Sequence, residues 1–123
     1  METTEPNPTW DAKAHSETVD VLESAVAEVT IRVWGADWCG DCRAALPDFF
    51  AALESAGVPN DEVEVYEVDQ NKDGEKVDEY DVSLIPTIVV ERDGEEVARF
   101  EESEDRPAAQ YLADQLVDSD AMV

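Results

Sequence analysis

Residues 29–53 read VTIRVWGADWCGDCRAALPDFFAAL. The first six residues of this stretch alternate and are mostly β-branched, which is typical of a strand. From Ala44 to Leu53 the apolar residues recur at helical spacing, so a helix follows. The two cysteines of the chain, Cys39 and Cys42, fall at the turn between these elements. The stretch therefore predicts a strand, a turn that carries both thiols, and a helix.

A cysteine at the start of a helix has a special electrostatic environment. Backbone N–H groups and the positive end of the helix dipole point at its sulfur and favour thiolate over thiol. Cys39 is therefore predicted to be a nucleophile that attacks disulfides. Cys42 lies three residues later, where it can approach Cys39 and displace the target from a mixed disulfide. We expect the neighbouring Trp38 to supply an apolar docking surface for the target.

A pair of cysteines can also bind metal, or can be two incidental buried thiols. Zinc usually takes four Cys or His ligands, and the one histidine of the chain, His15, is expected to be solvated. A dimer that shares two cysteine pairs stays open as an alternative. We predict that the chain holds no metal and no other cofactor.

The rest of the chain is divided by the same periodicities. Ser16 is expected to be the N-cap of a first helix, the dipeptide Asp93-Gly94 to connect a hairpin, and Pro107 to open the last helix. The predicted elements are a helix from 16, a strand at 29–34, a helix that ends at 57–60, a strand at 63–68, a short helix at 75–80, strands at 87–90 and 97–100, and a helix from 106.

A length of 123 residues is sufficient for a single domain with one core. Residues 1–14, which include Pro6 and Pro8, are predicted to be a flexible leader, residues 15–118 the domain, and residues 119–123 a short tail. The acidic run at 101–105 is expected to be a hydrated loop.

The charge balance excludes several classes of partner. The chain has 32 acidic residues against eight Lys and Arg, a net charge of −24. Its isolated cations do not form the clusters that nucleic acids require, so we expect no nucleic-acid partner. A long apolar run and a signal segment are both missing from the sequence, which predicts no membrane partner and a cytoplasmic location. Cytosolic thiols are kept reduced, so a reactive pair is favoured over a structural one.

The acidic residues are spread over all the predicted elements. Such a surface repels itself at ordinary salt, and molar salt relieves the repulsion by shortening the Debye length to about 3 Å. We therefore predict adaptation to a cytosol of high salt; an acidic protein from an ordinary cytosol is the alternative. The free energy of unfolding, measured by urea denaturation, should rise with KCl into the molar range. Greatest stability at about 50 mM salt would contradict the halophilic interpretation.

The chain resembles the thioredoxin family over residues 16–117. The resemblance is carried by WCGDC at 38–42 and IPT at 85–87, with Pro47 in the helix and the segments 69–71 and 93–95 in support. It implies an α/β thioredoxin fold, with a central mixed β-sheet flanked by helices.

The resemblance also implies an activity and a site. It implies a monomer that reduces disulfide-containing protein substrates through Cys39 and Cys42, with a thioredoxin-reductase-like flavoprotein or a small thiol as electron donor. It further implies that Pro86 is cis and lies against the cysteines, and that the backbone of Ile85 pairs with an extended substrate strand. The aliphatic residue before Pro86 favours reduction of targets over oxidation.

Asp41 stands where the family has a proline between the cysteines. A carboxylate disfavours thiolate formation, so Asp41 is predicted to raise the pKa of the attacking cysteine; the alternative is a solvated surface charge. The buried aspartate of thioredoxins corresponds to Val33 and its lysine partner to Val65, so this proton relay is absent. Deprotonation of Cys42 is left to water or to another carboxylate. The candidates are, in order, Asp41, Glu67 and Asp69.

Two further residues are unusual. Arg32 lies in a predicted central strand, where apolar residues are normal. It is expected to pair with a neighbouring carboxylate and support the fold; the alternative is that it stabilises the anion of the dithiol. Gly35, where thioredoxins usually have a tryptophan, is expected to leave a smaller or a more open docking surface.

The predicted function is thiol–disulfide oxidoreduction that reduces protein disulfides. A first alternative is a redox-responsive binding module that docks one partner without general turnover. A second is an acidic, chaperone-like interaction domain, whose function would survive replacement of both cysteines.

Overall fold

The computed structural model describes residues 5–25, 29–71, 73–101 and 107–121. Two 3₁₀ turns, Ala12–His15 and Asn60–Glu62, precede the first helix and the second strand. The helices and strands are α1 (Ser16–Ala25), β1 (Val29–Gly35), α2 (Gly40–Ser55), β2 (Val63–Glu67), β3 (Thr87–Arg92), β4 (Glu95–Glu101) and α3 (Ala108–Ala121).

The four strands form one mixed sheet in the order β2-β1-β3-β4. β1 runs parallel to β2, with Val33 opposite Val65, whereas β1 with β3 and β3 with β4 are antiparallel. The mixed sheet flanked by helices that the sequence predicts is confirmed.

The core lies between β1 and the helices. Alternate residues of β1, from Val29 to Val33, are buried, and the three helices contact one another. Burial of each large apolar side chain contributes about 1.5–3 kcal/mol. The largest buried aliphatic and phenyl side chains of this layer are Leu46 and Phe49 of α2 and Leu112 and Leu116 of α3.

The predicted hairpin is confirmed. Asp93 and Gly94 both have positive φ, 54° and 81°, and Arg92 pairs with Glu95 across them. Two consecutive residues with positive φ are what a two-residue type I′ turn requires.

The predicted short helix at 75–80 is wrong. These residues form successive turns, and Lys76 and Asp81 have positive φ, 62° and 54°. The indole N–H of Trp34 donates to the carbonyl oxygen of Glu75 at 2.9 Å. The carbonyl oxygen of Glu75 accepts this side-chain hydrogen bond, and the next residue, Lys76, has a left-handed backbone conformation. A regular helix therefore does not begin here.

The first helix begins at Ser16 but lacks the predicted serine cap. Ser16 is the first residue of α1 and not its cap, because the 3₁₀ turn Ala12–His15 runs directly into the helix. The carboxylate of Asp11 caps this turn by accepting from the backbone N–H of Lys13 at 3.0 Å. At the other end, α3 extends to Ala121, past the predicted domain boundary at 118.

The described part of the leader contacts α2. The backbone N–H of Asn7 donates to the carbonyl of Pro47 at 2.9 Å, and its side-chain amide donates to Asp48 at 2.7 Å. The flexibility expected of residues 1–14 stays a prediction. Residues 102–105 of the expected acidic loop lie outside the described residues.

Candidate active site

Cys39 is the N-cap of α2. Its backbone is extended, with φ −89° and ψ 120°, and its sulfur accepts from the backbone N–H of Cys42 at 3.3 Å. A backbone N–H bond to the sulfur and a position at the start of a helix are features of reactive cysteines. The structure thus places Cys39 where the strand–turn–helix pattern predicted it.

Cys42 lies in the first turn of α2 and is fully buried. Burial raises the pKa of its thiol to about 12, with hydrogen bonding to Cys39 and the charge of Asp41 acting in the same direction. Both cysteines are present as free thiols. Cys42 therefore keeps its proton at neutral pH, and Cys39 is also buried, with 9% of its surface exposed.

Gly35 permits the close approach of α2 to β1 beneath the cysteines. A Cβ atom at Gly35 would lie 3.0 Å from Cδ1 of Leu46 and 3.3 Å from the sulfur of Cys42. Gly35 is buried. The expectation that this glycine opens the docking surface is therefore wrong, because its backbone lies under Cys42 and away from solvent.

The loop before β3 lies against Cys39. The peptide bond between Ile85 and Pro86 is cis, the isomer that the resemblance implies, and both residues are buried. The carbonyl oxygen of Ile85 is 3.8 Å from the sulfur of Cys39, which donates to it. Thr87 donates to the carbonyl of Leu84 at 2.5 Å and so holds the turn.

Trp38 is exposed next to the nucleophile. Its side chain is 43% exposed, and its indole N–H donates to the carbonyl of Val68 at 3.2 Å. This bond fixes the ring beside the cysteines with one face in solvent. Its role in docking a target stays a prediction.

Asp41 is exposed in the first turn of α2, and its charge adds to the raised pKa of Cys42. The effect predicted on Cys39 stays a prediction. Asp69 uses one carboxylate oxygen to accept from the backbone N–H groups of Asn71 and Asp73, at 2.8 and 3.0 Å. Of the candidate carboxylates, Asp41 is thus the one whose charge acts on Cys42.

The two valines at the relay positions are neighbours in the sheet. Val33 is fully buried and Val65, its register partner on β2, is 40% exposed. Neither side chain can accept a proton. Cys42 therefore lacks the neighbouring carboxylate that the resemblance would place at Val33.

Arg32 belongs to a cluster on the other face of the sheet. Its Nε donates to the buried carboxylate of Glu91 at 2.5 Å, and its Nη1 donates to the hydroxyl of Tyr66 at 2.6 Å and also pairs with Glu64. Tyr80 donates to the second oxygen of Glu91 at 2.9 Å. The favoured expectation, that Arg32 pairs with carboxylates, agrees with this geometry.

This cluster holds the segment that leads to the cis-proline loop. Tyr80 lies under the guanidinium of Arg32, with 5.4 Å from Cζ to the ring centroid, and its carbonyl accepts from Arg99 at 2.8 Å. Sequence reasoning missed Tyr80 and Glu91, because Arg32, the residue that both contact, precedes them by 48 and 59 residues. Arg32 in a predicted central strand was the available signal.

Within the described ranges, no group of three or more His, Cys, Asp or Glu side chains is arranged to hold a metal ion. His15 instead stacks on Trp10, with 4.9 Å between the ring centroids. No helix in that part of the chain has the length and apolarity needed to cross a bilayer.

Comparison with known proteins links this geometry to a family. The thioredoxin family model matches residues 11–115. The thioredoxin of Chlamydia pneumoniae is 34% identical over 64 residues, 52% of this chain and 59% of that protein. The protein disulfide-isomerase of Drosophila melanogaster is 31% identical over 98 residues, 78% of this chain and 19% of that protein. This chain thus spans less than two thirds of the length of both relatives.

The fold has a counterpart among solved structures. The X-ray structure of Fasciola hepatica thioredoxin superposes with a TM-score of 0.54 at 26% identity, over 81% of this chain and 88% of that one. The counterpart supports the mixed sheet and helices described above.

Proposed function

The chain belongs to the thioredoxin family, and from this premise we propose that it is a thiol–disulfide oxidoreductase that reduces disulfides in other proteins. The observation that carries the proposal is the position of Cys39. Its sulfur caps α2, accepts the N–H of Cys42 and lies against the carbonyl of Ile85. Reactive cysteines are found at helix N-termini of this kind, and Cys39, at 9% exposed, is the less buried of the two thiols.

The proposed reaction has two displacement steps. The Cys39 thiolate attacks one sulfur of the target disulfide, forms a mixed disulfide with it, and releases the other target sulfur as a thiolate that takes up a proton. The thiolate of Cys42 then attacks the sulfur of Cys39. A Cys39–Cys42 disulfide forms and the second target sulfur leaves. Two electrons pass to the target, and the chain ends oxidised.

The direction of the reaction is supported by the residue before the cis-proline. Ile85 is aliphatic, as in the thioredoxin-like reductases that this chain resembles. We therefore favour reduction of targets, with a thioredoxin-reductase-like flavoprotein or a small thiol as the donor that restores the dithiol.

Docking is assigned to the surface around Cys39. The exposed ring of Trp38 offers apolar contact, and the backbone of Ile85, next to Pro86, is the proposed partner for an extended substrate segment. We further propose that the protein acts as a monomer in the cytoplasm, where thiols are kept reduced.

Insulin reduction with dithiothreitol as donor, in molar KCl, tests this function. The wild type should accelerate reduction, and Cys39→Ser and Cys42→Ser should each return the rate to that of dithiothreitol alone. The Cys42→Ser variant should also accumulate a mixed disulfide at Cys39, visible by mass spectrometry. Circular dichroism of both variants serves as the folding control. A wild type no faster than dithiothreitol, with thiols that still oxidise reversibly, would exclude general reductase activity.

A redox-responsive binding module is the second candidate. The observation in its favour is the same buried Cys42, which lacks a carboxylate at Val33 and so releases a bound target slowly. A partner that stays attached through Cys39, with little turnover under any donor, would support this candidate over the first.

A further inference from the structure

Val65 is an exposed apolar residue on the surface of a strongly acidic protein. It is 40% exposed, and Trp38 is the other large apolar side chain that is exposed in the described ranges. Exposed apolar side chains that continue into an apolar groove mark contact surfaces on soluble proteins. Trp38 lies at the dithiol, whereas Val65 has no part in the proposed reaction.

The side chain of Val65 borders a groove between β2 and α2. Val63 and Val65 lie on the same face of the sheet, because alternate residues of a strand do so. Phe50 and Leu53 of α2, with Val58 and Pro6, complete the apolar lining. The groove therefore offers a row of apolar contacts along one strand.

The α2 side of the groove is remote from the dithiol. Cys39 caps the N-terminal end of α2, whereas Leu53 and Glu54 lie at its C-terminal end. Fifteen helical residues at 1.5 Å each separate these ends by about 22 Å. Val65, which pairs in register with Val33, lies at the end of the groove that is nearer to the dithiol. A molecule bound at the Leu53 end would leave Cys39 free.

The backbone beside the groove is available for pairing. β2 is at the edge of the sheet and bonds to β1 on one side; no strand among residues 5–25, 29–71, 73–101 and 107–121 pairs with its other side. An extended segment can add to such an edge through main-chain hydrogen bonds, with alternate side chains entering the groove.

The charges around the groove select the occupant. Glu5 and Glu54 line it, and Glu67 is exposed on β2, on the strand face that carries Val63 and Val65. A second copy of this chain carries a net charge of −24 and so offers few cations to complement these carboxylates. We propose that the edge of β2 and this groove bind an extended segment of a partner protein in which apolar residues alternate with Lys or Arg. The surface would hold a partner while the dithiol acts elsewhere.

Two designed peptides provide the probe. One alternates valine and lysine over seven residues, and the other alternates valine and glutamate. Binding is measured by fluorescence anisotropy and by amide chemical shifts, at the lowest KCl concentration that keeps the protein folded. The lysine peptide should bind at least about tenfold more tightly than the glutamate peptide, with shifts concentrated on residues 63–67.

Variants of the chain separate apolar contact from charge. Val65→Thr, which keeps a β-branched residue, should weaken binding about fivefold, and Glu5→Lys with Glu54→Lys about tenfold. Glu17→Lys with Glu23→Lys makes the same change in net charge on exposed positions of α1 and should leave affinity within about twofold. Insulin reduction should be unchanged in the two pairs of glutamate variants, so failure of this proposal is distinguishable from failure of the proposed reductase.

Several results would overturn the proposal. These are equal affinity for both peptides, no binding at millimolar peptide, and shifts centred on Trp38. A dimer that is lost in Val65→Thr would show that a second copy is the occupant. Binding that appears only after residues 1–4 are removed would assign the groove to the chain's own N-terminal segment.

Discussion

Release of a target from its mixed disulfide with Cys39 is expected to accelerate about 100-fold between pH 7 and pH 9. The attacking group is the thiolate of Cys42, and its concentration rises tenfold per pH unit below the pKa. That pKa is about 12 in the dithiol, mainly because the thiol is buried. In the mixed disulfide the contribution of Cys39 falls away, but the burial of Cys42 remains. The rate should therefore still be rising at pH 9.

A carboxylate restored at Val33 should reduce this dependence on pH. In Val33→Asp, burial raises the pKa of the new carboxyl toward neutrality, where it can accept the proton of Cys42. Release at pH 7 should become at least about tenfold faster, and the slope with pH shallower. Val33→Asn is the matched control, because it buries a polar group of the same size that cannot accept a proton. Both variants should lose stability, by about 2–7 kcal/mol.

Stopped-flow release of a fluorescent peptide from a preformed mixed disulfide measures these rates in a single turnover. A wild-type rate that is flat from pH 7 to pH 9 would show that deprotonation of Cys42 does not limit release. Equal acceleration in the aspartate and asparagine variants would show that a looser core, and not proton transfer, is responsible.

Replacement of Arg32 by methionine is expected to destabilise the fold by about 3–5 kcal/mol, roughly two to almost four orders of magnitude in the folding equilibrium. The guanidinium is mostly buried, as is the carboxylate of Glu91 that it contacts at 2.5 Å. Removal of one partner leaves a buried charge uncompensated. The free energy of unfolding, measured by urea denaturation at fixed KCl concentration, reports the loss.

Two further variants identify the cause. Glu64→Gln removes a half-exposed partner of the same arginine and should cost less than about 1 kcal/mol. Arg32→Met combined with Glu91→Leu removes both buried charges and should recover most of the lost stability. A loss below about 1 kcal/mol in Arg32→Met, or no recovery in the double variant, would contradict the uncompensated-charge explanation.

The sequence was sufficient for those parts of the fold that depend on local chemistry. The hairpin at Asp93-Gly94 follows from two residues that tolerate positive φ, and the cap at Cys39 from the boundary of a strand and a helix. The short helix expected at 75–80 does not form, because a tertiary hydrogen bond from Trp34, 41 residues earlier, takes the carbonyl of Glu75. Periodicity contains no information about such a bond.

In the candidate site, too, some features are visible in the sequence and others depend on tertiary packing. The spacing of Cys39 and Cys42 is visible in the sequence, whereas the depth of Cys42, which sets its pKa, depends on how α2 packs on Gly35. Likewise Arg32 stands out in a strand, but its partner Glu91 is 59 residues away. Pairings of that kind are fixed only when the sheet assembles.

The contact between Asn7 and α2 bears on the order of events during synthesis. Asn7 leaves the ribosome about forty residues before Pro47 and Asp48, whose oxygen atoms accept its hydrogen bonds. At 5–20 residues per second, these acceptors follow about two to eight seconds later. Residues 5–11 therefore cannot form these hydrogen bonds until α2 has left the ribosome and folded into a helix. Their attachment to α2 is a late event in the folding of each new chain.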